Sequence, residues 1–427
     1  MQNNLYTKKT LIVTSWAPPM IGGPQNLYSL FSLMDYRNYC VLTGYKTIIN
    51  DGENQGDWLD GKYFFFDHPD MPTKNKTIDK VGTISPTNFI TDYAYKLYNI
   101  TQAIPVLNTL LYFLFFIFKT TSFIKKGLEV VRNEEIDIIF GMSDNGPSMI
   151  ASYWISKISK RPLVYYLFDI YKGNNLQFID KIMSYFWEHT LIKSAKLVIV
   201  TNDGTKDFYQ NRYKNTLNIH VINNSGDSGV DKIVTKIYKP IPPYKIIYTG
   251  HVYWAQEQSL INLINAVKQI NDLQITLELY IPNGNKNIAD CVKARDNIIL
   301  TQAPKRKMPS IQKQATLLFL PLSWNTRSTD IIKTATPGKY TEYLKSGRPM
   351  LVHAPTYAYI SQYVKKNKLG IVVDKNDPTF LAKVIRNFIK DPQKGSELIS
   401  KAMKEFERNH DPKINIKKLE HILQLIK

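Results

Sequence analysis

The segment TATPGKYTEYLKSGRPMLV, from Thr334 to Val352, holds a helix, a turn and a strand in direct succession. Pro337 suits the first turn of a helix, because a helix start leaves backbone N–H groups unpaired and proline has none to lose. The turn at residues 347–349 ends that helix, and the apolar run that follows is typical of a buried strand. The segment therefore predicts the repeating unit of a parallel sheet that is covered by helices.

The same alternation of apolar runs and amphipathic stretches extends along the whole chain. Strands are predicted in the first half at TLIVTS, YCVLTG, KYFFFD, IDIIFG, PLVYYLF, KLVIVT and IHVIN. Strands are predicted in the second half at YKIIYTG, QITLELYIP, NIILTQ, TLLFLPL, PMLVHA and LGIVVD. A chain of 427 residues is too long for one ordinary core. We therefore expect an α/β protein with two Rossmann-like domains, whose parallel sheets face each other across a cleft.

The boundary between the two domains is predicted from a change in composition. Residues 1–230 form the first domain, and residues 231–243 form a linker within a stretch rich in Ser, Gly, Asp and Pro. Residues 244–408 form the second domain. Residues 409–427 are predicted to form a final helix that packs back toward the first domain.

The composition is that of a globular protein with a basic surplus. There are 55 Lys and Arg residues against 36 Asp and Glu, which gives a net charge of +19 and favours phosphate-bearing ligands or anionic surfaces. The chain has no arginine-rich run and no basic–aromatic repeat, so we expect no nucleic-acid partner. The N-terminus has no apolar signal segment, and there are only two cysteines, which favours a cytoplasmic location.

The most apolar stretch is IPVLNTLLYFLFFIF, from Ile104 to Phe118, and Lys119, Lys125 and Lys126 follow it. It is shorter than the roughly 20 residues that a membrane-spanning helix needs. Two interpretations remain open: a helix buried in the core, or a helix that lies on a membrane surface, where apolar bulk followed by lysines is typical.

Ligands of open parallel sheets bind at the carboxyl ends of the strands, so site residues are expected in the loops that follow strands. In the first half, Gly22 and Gly23 follow TLIVTS and precede a helix, where a glycine pair lets the backbone approach a ligand closely. Asp169 ends PLVYYLF, where a carboxylate is suited to bind a sugar hydroxyl or to transfer a proton.

In the second half, Gly250 and His251 end the first strand. Gly338 and Lys339 place backbone N–H groups and an ammonium at a helix start, an arrangement that favours a diphosphate. Glu342 lies one turn further on, where its carboxylate is suited to accept hydrogen bonds from two neighbouring ribose hydroxyls. No D-x-D motif and no metal-spaced histidine cluster occurs, so neither a metal nor another cofactor is expected.

Taken together, these motifs resemble those of GT-B glycosyltransferases of family 4, over nearly the whole chain. The glycine loop WAPPMIGGPQNLY resembles the family's N-terminal glycine loop, and YTGHVYWAQEQSLINLINAV resembles the first strand and helix of its donor domain. TPGKYTEYLKSGRPMLV resembles the family's strongest signature, and GIVVDKNDPTFLAKVIRNFIKDP resembles its ending.

The resemblance implies a retaining, hexosyltransferase-type enzyme of bacterial surface glycan synthesis, which uses a nucleotide-sugar donor. The acceptor would be a glycan, lipid-linked or protein-linked, and the enzyme would be cytoplasmic or peripheral at the inner face of the plasma membrane. The residues implied on the donor side are Gly250, His251, Pro337, Gly338, Lys339, Glu342, Lys333 and Arg327. Those implied for catalysis are Asp169 and Gly23, and those on the acceptor side are Gly22 and Gly23.

The chain also departs from that family at several positions. A lysine often opens the helix where Gln256, Glu257 and Gln258 stand here, and a histidine often stands where Phe168 does. The family often has a second glutamate eight residues before the one at Glu342, and Thr334 stands there. The family often has an arginine where His251 stands. A non-catalytic binding or partner subunit with the same fold is therefore the alternative function.

Overall fold

A computed structural model of the chain describes residues 7–20, 22–45, 57–67, 105–226, 238–282, 285–293 and 296–426. The chain divides into two compact units. Unit 1 comprises Met1–Asn223 together with Pro412–Lys427, and unit 2 comprises Asn224–Asp411. Of the linker expected at 231–243, residues 231–237 lie outside the described residues.

Unit 1 is built on a parallel sheet of seven strands, in the order β3-β2-β1-β4-β5-β6-β7. These strands are β1 (Thr10–Val13), β2 (Tyr39–Thr43), β3 (Lys62–Phe65), β4 (Ile138–Met142), β5 (Leu163–Leu167), β6 (Leu197–Val200) and β7 (Ile219–Val221). All seven strands predicted for the first half are confirmed. The order reverses between β1 and β4, which is where open α/β sheets bind ligands.

In the described part of unit 1, five helices alternate with these strands. They are α1 (Gly23–Phe31), α2 (Pro105–Asn133), α3 (Pro147–Ser159), α4 (Phe178–Ser194) and α5 (Asp203–Arg212). Gly127 of α2 lets that helix lie close to α3, because a Cβ atom built there would be 2.3 Å from Ile155 Cδ1. The C-terminal half of α2 is therefore part of the packed unit.

Unit 2 contains a second parallel sheet, with six strands in the order β10-β9-β8-β11-β12-β13. The strands are β8 (Tyr244–Thr249), β9 (Ile275–Tyr280), β10 (Ile298–Thr301), β11 (Leu317–Pro321), β12 (Met350–His353) and β13 (Ile371–Val373). All six strands predicted for the second half are confirmed. The order reverses between β8 and β11, so the ends of these two strands frame the ligand edge of the second sheet.

Within the described ranges of unit 2, eight helices pack around this sheet. They are α6 (Trp254–Lys268), α7 (Lys286–Val292), α8 (Met308–Gln312), α9 (Thr329–Thr334), α10 (Lys339–Lys345), α11 (Tyr359–Asn367), α12 (Pro378–Lys390) and α13 (Gln393–Glu405). The chain then returns to unit 1 as α14 (Pro412–Gln424). Leu419 and Leu423 of α14 are fully buried in the same core cluster as Leu27 and Phe31 of α1.

The predicted apolar helix is longer and less buried than its composition suggested. Helix α2 has 29 residues, and its buried side chains are Phe116, Thr120, Phe123, Gly127 and Val130. A helix buried in the core is therefore the wrong interpretation of the described part of 104–118, where Phe116 alone is buried. Among the described residues, α2 is the one helix long and apolar enough to cross a membrane, judged by length and composition only.

Candidate functional site

At the carboxyl edge of the unit 2 sheet, the loop after β8 meets the start of α10. Gly250 has a φ of +120°, a conformation that other residues rarely adopt. A Cβ atom at Gly250 would lie 2.7 Å from Lys339 Cε and 2.9 Å from its Nζ. The backbone angle therefore requires glycine at this strand end, and the end of the flexible Lys339 side chain lies directly against it.

The ammonium of Lys339 is held against the end of β8 by an aromatic side chain. Its Nζ donates to the Tyr248 hydroxyl at 3.2 Å and lies 4.7 Å from the centre of the Tyr248 ring. That hydroxyl lies 2.8 Å from Gln256 Oε1 and 2.7 Å from the His251 carbonyl, to one of which it donates. Burial lowers the pKa of Lys339 to about 8, and the nearby charge of Glu342 partly opposes this shift. The site thus contains a desolvated cation in a fixed position.

Glu342 is fixed at the same strand end through Gln312 of α8. Gln312 Nε2 donates to Glu342 Oε2 at 2.7 Å and lies 3.1 Å from Thr249 Oγ1. The Thr249 N–H in turn donates to the Tyr343 hydroxyl at 3.2 Å. The carboxylate therefore has a defined place and stays partly exposed.

The remaining donor-side candidates surround this centre less closely. Helix α10 begins at Lys339, so Pro337 lies just before the helix instead of in its first turn, and its carbonyl accepts from the Tyr340 N–H at 2.9 Å. Lys333 lies on the short helix α9, which is capped by the Ser328 side chain. Its Nζ lies 4.0 Å from the Asp330 carboxylate. Arg327, like His251, is exposed.

In unit 1, the two loops predicted from sequence come together at the ends of β1 and β5. Gly22 has a φ of +87°, and a Cβ atom at Gly23 would lie 2.8 Å from the Phe168 ring. Asp169 is the next residue after Phe168. Burial raises the pKa of Asp169 to about 7, and no opposing cation contributes to that shift. A carboxyl group that titrates near neutral pH beside a glycine loop is suited to proton transfer.

Sequence analysis missed a second carboxylate at this edge, Asp144 after β4. It accepts hydrogen bonds from the Ser15 N–H at 3.2 Å, the Gly146 N–H at 2.7 Å and the Ser148 hydroxyl at 2.5 Å. The signal was present, because Asp144 follows the predicted strand IDIIFG just as Asp169 follows its own strand. Its hydrogen bonds join the ends of β1 and β4 at the position where the strand order reverses.

Two further charged groups lie near Asp144: Asp180, which is buried, and Lys119, which is half-buried. Asp180 accepts from the Tyr112 hydroxyl at 2.8 Å and from Asn145 Nδ2 at 3.2 Å, and burial raises its pKa to about 6. Burial lowers the pKa of Lys119, while the charges of the surrounding aspartates oppose the shift. These groups were not predicted because their contacts join α2, α4 and the loop after β4, which are distant in sequence.

Several polar atoms at this edge are buried and have no hydrogen-bond partner in the described part of the chain. They are Ser15 Oγ, Thr43 Oγ1, Asn145 Oδ1 and Tyr171 Oη. Buried polar atoms are nearly always paired, so this edge has capacity for additional polar contacts with water or a ligand. No group of three or more His, Cys, Asp or Glu side chains suited to a metal occurs within the described ranges.

Part of unit 2 is similar to a known protein family. Residues 243–391, all within unit 2, match the family model described as "Glycosyl transferases group 1". No curated protein matches the chain.

Solved structures match over almost the full length. The chain is similar to Alr3699/HepE of Anabaena in complex with UDP, with 16% identity, a TM-score of 0.62 and coverage of 98% of this chain and 100% of the other. Sucrose-phosphate synthase of Thermosynechococcus elongatus has 12% identity, a TM-score of 0.61 and 98% coverage of each chain. The α,α-trehalose-phosphate synthase of Burkholderia xenovorans has 10% identity, a TM-score of 0.62 and coverage of 97% and 100%. The chain therefore has the GT-B fold, and its second unit carries the match to the group 1 glycosyl transferases.

Proposed function

We propose that the protein transfers a hexosyl group from a nucleotide-sugar donor to an acceptor hydroxyl, with retention of configuration at the anomeric carbon. The observation that carries this proposal is the placement of the Lys339 ammonium against Gly250, with Glu342 at the same strand end. The match of residues 243–391 to the group 1 glycosyl transferases supports the same reaction class.

The donor would bind through its charged and hydroxylated parts to unit 2. Lys339 would neutralise the diphosphate, and Glu342 would accept hydrogen bonds from the ribose hydroxyls. Gly338 supports this arrangement, since a Cβ atom there would meet nothing within 4 Å and the position is exposed, so no packing within the protein requires glycine. The related HepE structures contain UDP and UDP-glucose, which supports this class of ligand.

The departing diphosphate needs positive charge, and this chain has to supply it without an arginine at position 251. Lys339 stands against the same strand-end glycine and is suited to that role. We assign Arg327 and Lys333 to the outer phosphate as exposed cations on the segment that leads to α10. Basic side chains and backbone N–H groups then stabilise the charge that develops in the transition state.

The acceptor would bind to unit 1, beside Gly22 and Gly23. Asp169 would receive the acceptor proton or orient the hydroxyl, because its pKa of about 7 matches a group that exchanges protons at neutral pH. The protein would be cytoplasmic and would act in the synthesis of bacterial surface glycans. The net charge of +19 supports phosphate-bearing or otherwise anionic acceptors.

The test is a titration of the purified protein with UDP, GDP, ADP and their sugar conjugates, followed by transfer assays in which the anomeric configuration of the product is determined by NMR. We expect saturable binding of one nucleotide diphosphate that Glu342→Ala weakens strongly. Binding of none of them, or equal binding by the variant, would contradict the proposed donor site.

A non-catalytic partner subunit is the second candidate, and Thr334 favours it. The Thr334 side chain is buried, and its hydroxyl donates to the Asp330 carbonyl at 2.8 Å, so the position of the family's other glutamate carries a hydroxyl bonded within its own helix. Slow hydrolysis of the bound donor by the protein alone would support the enzyme. Tight donor binding with neither hydrolysis nor transfer would support the partner subunit.

A further inference from the structure

Helix α2 is too long for the sheet that it covers. Its 29 residues extend about 43 Å at 1.5 Å per residue, whereas a five-residue strand spans about 17 Å. The helix ends at Asn133, just before β4 starts, so it runs antiparallel to the strands. Its N-terminal half must therefore extend beyond the carboxyl edge of the sheet, which explains why its buried side chains begin only at Phe116.

The projecting half of α2 has an apolar stripe on its outer side. Val106, Leu110, Leu114 and Ile117 are 82%, 54%, 52% and 43% exposed. Their spacing of four, four and three residues places them on one face, away from the buried residues of the same helix. Four aliphatic side chains exposed to water in one row are unfavourable, and such apolar patches mark surfaces that bind an apolar partner or a membrane.

Helix α4 has a similar outer face at its beginning. Phe178 and Phe186 are 67% and 76% exposed; Phe178 is the first residue of α4, and Phe186 lies at the middle of the helix. The hydrogen bond from Tyr112 to Asp180 ties this part of α4 to the projecting half of α2. Both helices also pack against α3, so they belong to one layer and share its outer side.

The charges around these side chains are positive on the outside. The two acids of α4, Asp180 and Glu188, are buried, and Glu188 is paired with Arg212 at 2.7 Å. The outward charges of α4 are therefore those of Lys181 and Lys193, which are exposed. On α2, Glu129 is paired with Lys126 at 2.9 Å, and Lys125 remains exposed.

We propose that Val106, Leu110, Leu114, Ile117, Phe178 and Phe186, here termed the apolar face, dock unit 1 onto an anionic phospholipid bilayer. Exposed aliphatic and aromatic side chains next to lysines are the chemistry by which amphipathic helices lie in a membrane interface. A second copy of the chain fits this face less well, because it would place lysines opposite lysines. A full span is also disfavoured, since Phe116, Phe123 and Val130 hold the rest of α2 in the core.

Docking would place the carboxyl edge of the unit 1 sheet near the lipid headgroups. If the proposed transfer is correct, this edge would receive an acceptor carried on a lipid. This inference names the partner surface of the proposed enzyme, but docking itself needs neither donor nor acceptor. A negative vesicle experiment therefore leaves the proposed function intact, and a negative nucleotide titration leaves the docking intact.

The test is flotation of the full chain with vesicles of phosphatidylcholine alone and of phosphatidylcholine with phosphatidylglycerol. We expect binding to the anionic vesicles that is at least tenfold stronger than to the neutral ones. The double variant Leu110→Asp/Leu114→Asp should lose at least tenfold of that binding, and Lys181→Glu/Lys193→Glu should lose the dependence on anionic lipid.

The matched control is Ile158→Asp at the far end of α3, since Ile158 is 54% exposed, as is Leu110. It should bind vesicles like the wild type. The proposal is overturned if the Leu110/Leu114 variant binds as well as the wild type, or if Ile158→Asp loses as much binding. It is also overturned if the wild type binds no vesicles but sediments as a dimer that the Leu110/Leu114 variant dissociates. Unchanged circular dichroism would establish that the variants are folded.

Discussion

The ligand edges of the two sheets share one architecture but contain opposite charges. At the end of β8, a lysine is desolvated yet held by Tyr248, so its pKa falls to about 8. At the end of β5, Asp169 is desolvated, and its pKa rises to about 7. Burial moves both values toward neutral pH from opposite directions, because it disfavours whichever form is charged.

The difference between the two edges indicates a division of labour. A cation fixed beside a carboxylate in unit 2 is preorganised to bind an anion with neighbouring hydroxyls. A carboxyl group without an opposing cation in unit 1 is ready to change its protonation state. Burying either group costs stability, and perturbed groups of this kind concentrate at functional sites. The following predictions test this contrast, beginning with the largest effect.

Asp169→Asn should reduce sugar transfer by about 10²–10⁴-fold while nucleotide affinity stays unchanged, because the variant cannot accept a proton. The wild-type rate should fall as pH drops below about 7, where the carboxyl group becomes protonated. The variant should lose this pH dependence. Asp207→Asn, at an exposed position of α5, is the matched control. An equal loss of transfer activity in both variants would contradict the division of labour between the two units. Weakened nucleotide binding by Asp169→Asn would contradict it as well.

Glu342→Ala should weaken binding of the nucleotide diphosphate by about 10–100-fold, because hydrogen bonds to a charged group contribute a binding free energy of that size. Calorimetric titration measures this directly, and a 2′-deoxy nucleotide should lose less affinity with the variant than the ribonucleotide does. Glu397→Ala on α13 is the control, because Glu397 is exposed and pairs only with Lys401 among its described contacts. An identical loss for both nucleotides would mean that Glu342 does not bind the ribose.

Lys339→Met should weaken nucleotide binding about tenfold at pH 7. Wild-type affinity should be full below pH 8 and fall as pH rises through 8, because only the charged lysine attracts the diphosphate. The pKa of Lys339 is lowered on folding from its ordinary 10.5, so burying the cation costs stability below pH 8, and this cost decreases as pH rises from 8 to 10.5. The variant should therefore melt at a higher temperature below pH 8. Lys333→Met is the comparison, because Lys333 is exposed and is assigned to the outer phosphate, so it should lose less nucleotide affinity than Lys339→Met. A larger loss in Lys333→Met would mean that Lys333, and not Lys339, is the main cation of the diphosphate site.

Gly250→Ala should destabilise unit 2 by about 1–3 kcal/mol, since alanine is strained at a φ of +120°. Its methyl group would also displace the end of the Lys339 side chain. Gly338→Ala is the matched comparison. Gly338 has a φ of −55°, and its added methyl group would meet nothing, so thermal stability should not fall. Nucleotide affinity should nevertheless decrease in Gly338→Ala. Unchanged affinity would mean that no ligand approaches this backbone.

Local sequence patterns were enough to predict every strand of both sheets. Each strand is a short apolar run bounded by turn residues, and a strand buried on both faces needs only that property. The glycine at the end of β8 and the Pro-Gly-Lys segment could likewise be recognised from their positions after a strand and before a helix. The interpretation of α2 was incomplete, because helix length and exposure depend on where the rest of the helix packs.

The contacts within the two edges could not be predicted in the same way. Lys339 donates to Tyr248, which is 91 residues away in sequence, and Glu342 is positioned through Gln312, to which no motif pointed. Asp144, Asp180 and Lys119 likewise acquire their environment from elements that only the fold brings together. Their pKa shifts come from desolvation, a property of the packed surroundings that no short stretch of sequence contains.

The sequence by itself therefore determined the two α/β units, the loops in which chemistry is placed and the residue types available there. The tertiary structure decided which of these residues act together: Lys339 with Gly250 and Glu342, and Asp169 with the Gly22-Gly23 loop. The physical reason is that periodicity and turn chemistry are local, whereas burial and hydrogen-bond pairing at a sheet edge arise only when strands distant in sequence become neighbours.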